Sequence, residues 1–253
     1  MRISIESLSH TFYNGQATPA LQNINLTFES GKFVALIGPS GCGKSTLLRL
    51  MANLITPTQG IIHYNGHDSR QAVLDGEIAW LSQSPALLPW LNVEKNLELA
   101  QRFTETKSPS RLSISDALAL VGLTAASHQY PFTLSGGMQQ RLALARVLLQ
   151  HAPVWLMDEP FAALDELTRE KLTEELLQIW QVQMPAVFWV THNIYEAIKL
   201  ADRILVFSPQ PGRIAADFSV EMPYPRHENQ PQFQGLLSNI RLILQQKELK
   251  HHG

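Results

Sequence analysis

"GKFVALIGPSGCGKST", residues 31–46, decides the fold. Its first half holds five consecutive apolar residues, Phe33 to Ile37, with no alternation. A strand covered on both faces reads this way. Its second half sets Gly38, Gly43, Lys44 and Ser45 in the spacing G-x-x-x-x-G-K-[ST]. Leu47, Leu48, Met51 and Leu54 follow at helical spacing and predict a helix. A buried strand, a glycine-rich turn and a helix together make an anion cradle. Glycines let backbone N–H groups point inward, and the helix N-terminus adds partial positive charge. The segment Gly38, Pro39, Ser40, Gly41, Cys42, Gly43, Lys44, Ser45 and Thr46 is therefore expected to wrap the phosphates of a nucleotide. Lys44 can reach the β- and γ-phosphates, and the Ser45 hydroxyl can ligate Mg²⁺.

More runs of the same kind lie downstream: "VWLMD" (154–158), "AVFWVTH" (186–192) and "RILVFS" (203–208). Helical stretches separate them, so an α/β fold with a mainly parallel sheet is expected. The N-terminal "ISIES" and "INLTFES" instead alternate apolar and polar residues, as half-exposed antiparallel strands do. Residues 84–150 read as all-helical. Asn92 can cap "NVEKNLELAQRF", either Ser113 or Ser115 can cap "SISDALALVG", and Gly122 suits that helix's end. The polar stretch 101–111 reads as a loop. After Ser135, Met138, Leu142, Ala145 and Leu149 keep helical spacing. The expected divisions are an antiparallel subdomain with the first part of the core (1–83), a helical subdomain (84–150), the second part of the core (151–215), and a connector with an amphipathic helix (216–253). Apolar residues at 233, 236, 237, 240, 243 and 244 give that last helix a face that should pack on its own domain.

Composition narrows the classes. The chain has 253 residues, 45% of them hydrophobic and 17% charged, with a net charge of −2. That balance supports a sizeable core and gives no electrostatic case for nucleic acid. No apolar run approaches the roughly 18 residues of a membrane span. "MRISIESLSHTF" is too polar for a signal peptide. The single cysteine, Cys42, excludes an internal disulfide and points to the cytosol. In the loop Cys42 is a small side chain that fits; alternatively, the helix N-terminus activates its thiol.

Polar residues leave the ends of the predicted strands. Asp158 closes "VWLMD", placed to hold Mg²⁺, and Glu159 follows where a carboxylate can orient an attacking water. Gln83 follows "EIAWLS" and His192 ends "VFWVT". Open α/β sheets bind ligands at this edge. A second glycine turn, "LSGGMQQR" (134–141), stands at the start of a helix nearly a hundred residues after the first.

The order Gly38–Ser45, Gln83, Leu134–Gln140, Asp158–Glu159, Ala162–Asp165 and His192 resembles the ATP-binding subunits of ABC transporters over nearly the whole chain. The resemblance implies a P-loop NTPase core with an N-terminal antiparallel β-subdomain and an inserted helical subdomain, using ATP and Mg²⁺. It implies that Glu159 is the catalytic base, His192 the γ-phosphate contact and Gln83 the Mg²⁺ and water sensor. Ser135, Gly136, Gly137 and Asp165 would face the ATP held by a second copy in a head-to-tail dimer. Tyr13, or failing that Phe12, would stack on adenine. "LLPW" (87–90), "DELTRE" (165–170), "PGR" (211–213) and "MPYPR" (222–226) are similar to the nitrate, sulfonate and taurine branch of bacterial importers, which also includes bicarbonate and thiamine-precursor systems. That branch implies permease partners, a periplasmic solute-binding protein and a place on the cytoplasmic face of the inner membrane. About 40 residues follow "SPQPGR", which leaves no room for an extra regulatory domain. Departures from the family pattern are Met138 for the usual Gln or Glu, Asn53 for Gly and Ala162 for Gly or Ser. Other classes with this chemistry are an exporter or envelope ATPase and a soluble ABC protein; the latter usually carries a coiled coil or two cassettes, absent here.

Overall fold

The computed structural model describes residues 1–102 and 112–249. The chain opens with strands β1 (Arg2–Asn14) and β2 (Gln16–Glu29). It continues through β3 (Phe33–Ile37), α1 (Lys44–Met51), β4 (Gln59–Tyr64), β5 (His67–Asp68), α2 (Ser69–Leu74) and β6 (Ile78–Leu81). Helices α3 (Val93–Arg102), α4 (Ile114–Leu120) and α5 (Gly136–Leu149) follow, with two short 3₁₀ turns between α4 and α5. The chain then returns to alternation with β7 (Val154–Asp158), α6 (Glu166–Gln183), β8 (Ala186–Val190), α7 (Ile194–Leu200), β9 (Arg203–Phe207) and β10 (Ile214–Ser219). It closes with α8 (Pro231–Leu249).

Two sheets form. One has the order β2-β1-β4-β5 and is antiparallel. The other has the order β10-β9-β3-β8-β7-β6 and is parallel except for β10. Every residue of β3, β7 and β8 is buried, as their unbroken apolar runs require. In β2, Ile24, Leu26 and Phe28 turn inward while Asn25, Thr27 and Glu29 face out.

The parallel sheet separates two apolar layers. Phe33, Ala35 and Ile37 face one layer with the helical insert and α6 to α8. Val34 and Leu36 face the other, with α1 and the antiparallel sheet. Phe28 meets Phe188 edge to face at 4.6 Å and ties the two sheets together. Burying each such side chain contributes about 1.5–3 kcal/mol. The apolar stripe of α8 packs on its own chain: Phe233, Leu237 and Ile240 are buried in the first layer.

Local expectations resolve in detail. Lys95 N donates to Asn92 Oδ1, so Asn92 caps α3. Ser113, not Ser115, caps α4, in a capping box with Asp116. Gly122 follows α4 at φ 64°, the left-handed turn that favours glycine. Asn53 takes the same conformation after α1, at φ 53°, which explains why Asn can stand where Gly is common. The helix α1 is shorter than its apolar pattern: it ends at Met51, and Leu54 lies beyond it, exposed. Of the loop expected at 101–111, Gln101 and Arg102 belong to α3, Arg111 and its predecessors from 103 lie outside the described residues. Among the described residues no helix is long and apolar enough to cross a membrane.

Candidate functional site

Because β3, β6, β7 and β8 run parallel, their C-terminal ends share one edge. The loops leaving them carry Gly38, Gln83, Glu159 and His192. This places residues up to 154 positions apart in sequence at one site, counting from Gly38 to His192.

The first loop is shaped by close packing. Gly43 caps α1 at φ 99°, with no side chain satisfying the helix's first N–H groups. A Cβ there would lie 2.7 Å from Ala20 O and Leu21 Cδ2, so both conformation and space demand glycine. The free N–H groups give the helix end its affinity for anions. Lys44 is buried and folds over the loop: its Nζ donates to Gly38 O at 2.7 Å and Pro39 O at 3.0 Å. Ser40 and Gly41 are exposed, and Pro39, Ser45 and Thr46 are half-buried. Cys42 is buried beneath the turn, and burial pushes its thiol up from the ordinary value, with Lys44 opposing. Burial thus works against an activated thiolate, and the small side chain fits the packed turn.

Ser45 Oγ donates to Asp158 Oδ1 at 2.8 Å. Asp158 is buried at the end of β7, and burial raises its pKa, with the Ser45 hydrogen bond and the Arg49 and Lys44 charges opposing. Glu159 comes next at φ 50°, a left-handed conformation that costs of order 1–3 kcal/mol for a residue with a Cβ. Its N–H donates to Val190 O, 3.0 Å away, which anchors the turn to β8. Its carboxylate gathers the other strand-end residues. Gln83 Nε2 donates to Oε2 at 3.4 Å, and His192 Nδ1 lies 3.8 Å from Oε1.

The second glycine turn is built differently. Ser135 caps α5, and its Oγ accepts from Met138 N at 3.3 Å. A Cβ on Gly137 would stand 3.1 Å from Ala163 O, so the turn abuts the "AALD" loop. Gly136 faces open space. Met138 is half-buried against the core. Among the described residues no hydrogen bond or ion pair joins 134–141 to 38–46. Asp165 caps α6, accepting from Thr168 N, and that bond holds its carboxyl below the usual range. Tyr13 stands at the end of β1, 71% exposed, while Phe12 meets His10 edge to face at 4.6 Å.

The sequence matches the family model described as ABC transporter over residues 21–162, more than half of the chain. This chain belongs to the ABC transporter family. As an ABC ATPase it is similar to the aliphatic sulfonates import ATP-binding protein SsuB of Bacillus licheniformis. The two are 39% identical over 241 residues, covering 95% of this chain and 94% of that one. It is also similar to the nitrate import ATP-binding protein NrtD of a Synechocystis species, 40% identical over 225 residues, covering 88% and 84%. A solved dimeric, post-hydrolysis structure of the ATP-binding cassette MJ0796, bound to ADP and Pi, superposes with a TM-score of 0.77. That structure is 28% identical and covers 87% of this chain and all of its own.

Around the strand-end cluster and the phosphate loop stand further residues whose contacts the motifs do not announce. Glu196 is buried, accepting from Trp189 Nε1 at 3.2 Å and Thr191 Oγ1 at 2.5 Å. In sequence, Asn193 and Glu196 have capping-box spacing, which disguises the carboxylate as a helix cap. Arg169 Nη2 donates to Leu164 O at 2.9 Å and braces the "AALD" loop. Gly212 packs on the phosphate loop, where a Cβ would lie 1.9 Å from Cys42 O. "PGR" is visible in the sequence, but nothing there says what it touches.

Proposed function

We propose that this chain is the ATP-binding and ATP-hydrolysing subunit of a membrane importer for a small anionic solute, in the class of sulfonates or nitrate. The observation that carries it is the convergence of Gln83 and His192 on the strained Glu159, beside the Ser45–Asp158 pair and the Lys44 loop. The import proteins for sulfonates and nitrate support importer over exporter or soluble ABC protein.

In this reading the backbone of residues 38–46 and the Lys44 ammonium bind the triphosphate. Lys44 exchanges its bonds to Gly38 O and Pro39 O for phosphate oxygens. Glu159 orients the attacking water and accepts its proton, Gln83 senses the water, and His192 contacts the γ-phosphate. Tyr13, with Phe12 as the alternative, stacks on adenine. Ser45, Asp158 and Gln83 would hold Mg²⁺. They suit it, because hard oxygen donors already lie 2.8 Å apart at the loop. Among the described residues no three His, Cys, Asp or Glu side chains form a complete metal cage, and Mg²⁺ commonly draws its remaining ligands from phosphates and water. When bound, the ion neutralises charge developing on the phosphates.

Ser135, Gly136, Gly137 and Asp165 complete the site of a second copy in a head-to-tail dimer, as the dimeric form of a related cassette supports. The γ-phosphate then binds the closed form better than the open one, and hydrolysis removes that bias. The helical subdomain, 84–150, meets the permease near Gln83 to Leu91. Trp90 there is 69% exposed and Pro89 is exposed, whereas Leu87 packs on the core. The complex sits on the cytoplasmic face of a bacterial inner membrane and receives its solute from a periplasmic binding protein.

Phosphate release tests the assignment. Glu159→Gln should retain ATP binding, lose hydrolysis and accumulate as a dimer. Wild-type turnover by that variant refutes the role given to Glu159. Solute uptake should cease in cells producing it.

A further inference from the structure

Behind Glu159 and His192 lies a small cavity of about 20 Å³. Its polar wall is made by Glu159, Arg169, Thr191, His192, Asn193 and Glu196. A water needs about 10–15 Å³ and two to four polar partners, so this space suits one water. Glu196 is the deepest of these groups. Its two oxygens are divided between strand and loop: Oε1 accepts from Trp189 Nε1 and Oε2 from the Thr191 hydroxyl. Thr191 Oγ1 in turn accepts from Asn193 N at 3.0 Å. The chain therefore leaves β8 through a hydrogen-bonded hook whose far end is Glu196 and whose near end carries His192.

We propose that Glu196 is a positioning residue for hydrolysis: through Thr191 and the one-water cavity it fixes where His192 and Glu159 stand. The reading rests on the roles given to those two residues under the proposed function. Three facts support it. The hook spans only residues 189–196, so a shift of the carboxyl is passed directly to His192. Asn193 already spends its own side chain on capping α7, accepting from Tyr195 N and Glu196 N, which leaves Thr191 dependent on Glu196 as its acceptor. The ionised form also suits the task better than the protonated one. Ionised, Glu196 accepts both donors. Protonated, it carries a hydrogen on one of those two oxygens, and the bond that oxygen accepts, from Trp189 or from Thr191, is weakened.

Burial lifts the Glu196 carboxyl to about 7, with Thr191, Arg169 and Trp189 opposing and the Glu159 charge adding to the rise. On the inner side it faces Glu159 and His192, and on α6 Arg169. A second cleft, about 520 Å³ in volume, opens between α6 and α7 on its outer side. Beside Arg169, its charged and titratable lining is Glu166, Glu170 and Glu174 from α6, Tyr195 and Lys199 from α7, and Arg226, His227 and Glu228 from the connector before α8. Proton exchange with solvent through that cleft would let the hook's geometry respond to pH.

The test is the pH dependence of single-turnover ATP hydrolysis by the full chain, with ATP affinity measured beside it. Wild type should gain rate as pH rises through about 7. Glu196→Gln copies the protonated form. It should hold ATP affinity within about twofold, lose rate by roughly 10- to 100-fold at pH 8, as a 1 Å misplacement does, and lose the inflection. A merely structural residue would lower stability without removing the inflection. Thr191→Val cuts the hook from the other side. It should lower the rate with unchanged affinity, so the proposal stays open to refutation if the Gln variant fails to fold. Wild-type rates and an unchanged inflection in the variants that fold overturn it. If those variants are normal while Glu159→Gln is inactive, only the positioning role falls. If Glu159→Gln is itself active, the underlying assignment falls.

Discussion

Replacing Gly212 by alanine should damage nucleotide binding from the back of the phosphate loop. The added Cβ would lie 1.9 Å from Cys42 O and 3.1 Å from Cys42 C. That is about 1.4 Å short of an ordinary C···O contact of about 3.3 Å. Neither side yields freely. Gly212 N donates to Ala20 O at 2.9 Å, and Gln22 N donates to Gly212 O at 3.0 Å, so both backbone polar groups of Gly212 are tied to β2. Across from it, the Cys42 peptide belongs to a turn whose N–H groups must face phosphate. Overpacking of this kind costs about 1–3 kcal/mol. If the phosphate loop moves, the cost appears as an ATP Kd raised about 5- to 150-fold. If the β2 edge gives way instead, it appears as lost stability. Titration with a fluorescent ATP analogue and a thermal melt on the same sample separate the two. The loop should yield first, because Gly41 leaves it open space on the other side. A variant with wild-type affinity and wild-type melting temperature refutes the bracing role.

The contrasting substitution is Gly235→Ala in α8, where a Cβ meets nothing within 4 Å; it should leave ATP binding unchanged and stabilise by about 0.5–1 kcal/mol, read from the melt. Arg226→Met should be costly. The buried guanidinium donates to the carbonyls of Met222, Ile198, Ala201 and Val220. Orphaning those oxygens should cost about 3 kcal/mol, a fall of roughly 6–12 °C in Tm by calorimetry. Ser135→Arg should spare ATP binding by the monomer and stop hydrolysis; loss of binding by the monomer would assign the second glycine turn to its own chain's site. Cys42 should alkylate slowly at pH 7 and faster as pH rises, since burial raises its pKa and leaves little thiolate near neutrality. Full ATP binding after stoichiometric labelling would remove Cys42 from the phosphate site.

Much of this molecule was legible residue by residue. The continuous run Phe33–Ile37 and the alternating Ile24, Leu26 and Phe28 announced a buried parallel strand and a one-sided antiparallel one. Burial on two faces or one leaves a period in the sequence that needs no partner to be read. The phosphate loop was legible for the same reason: its chemistry lies in consecutive backbone groups, so local spacing defines it. Asp158, Glu159, Gln83 and His192 could be listed because each follows a predicted strand. The convergence of Gln83 and His192 on the Glu159 carboxylate depends on the parallel strand order, which brings those strand ends to one edge. Other features were decided only in three dimensions. Leu54 keeps helical spacing, yet the helix stops at Met51 because Asn53 turns left-handed. Glu196 has the spacing of a cap, yet burial against Trp189 and Thr191 makes it the anchor of the His192 loop. Gly212 is one of 14 glycines in the sequence; only the fold puts the Cys42 carbonyl where its side chain would be. Local spacing determines which chemistry the chain can carry, because neighbouring residues share one stretch of backbone. Contacts between distant segments exist only after folding, and they decide which of these residues meet and which glycine or acid cannot be replaced.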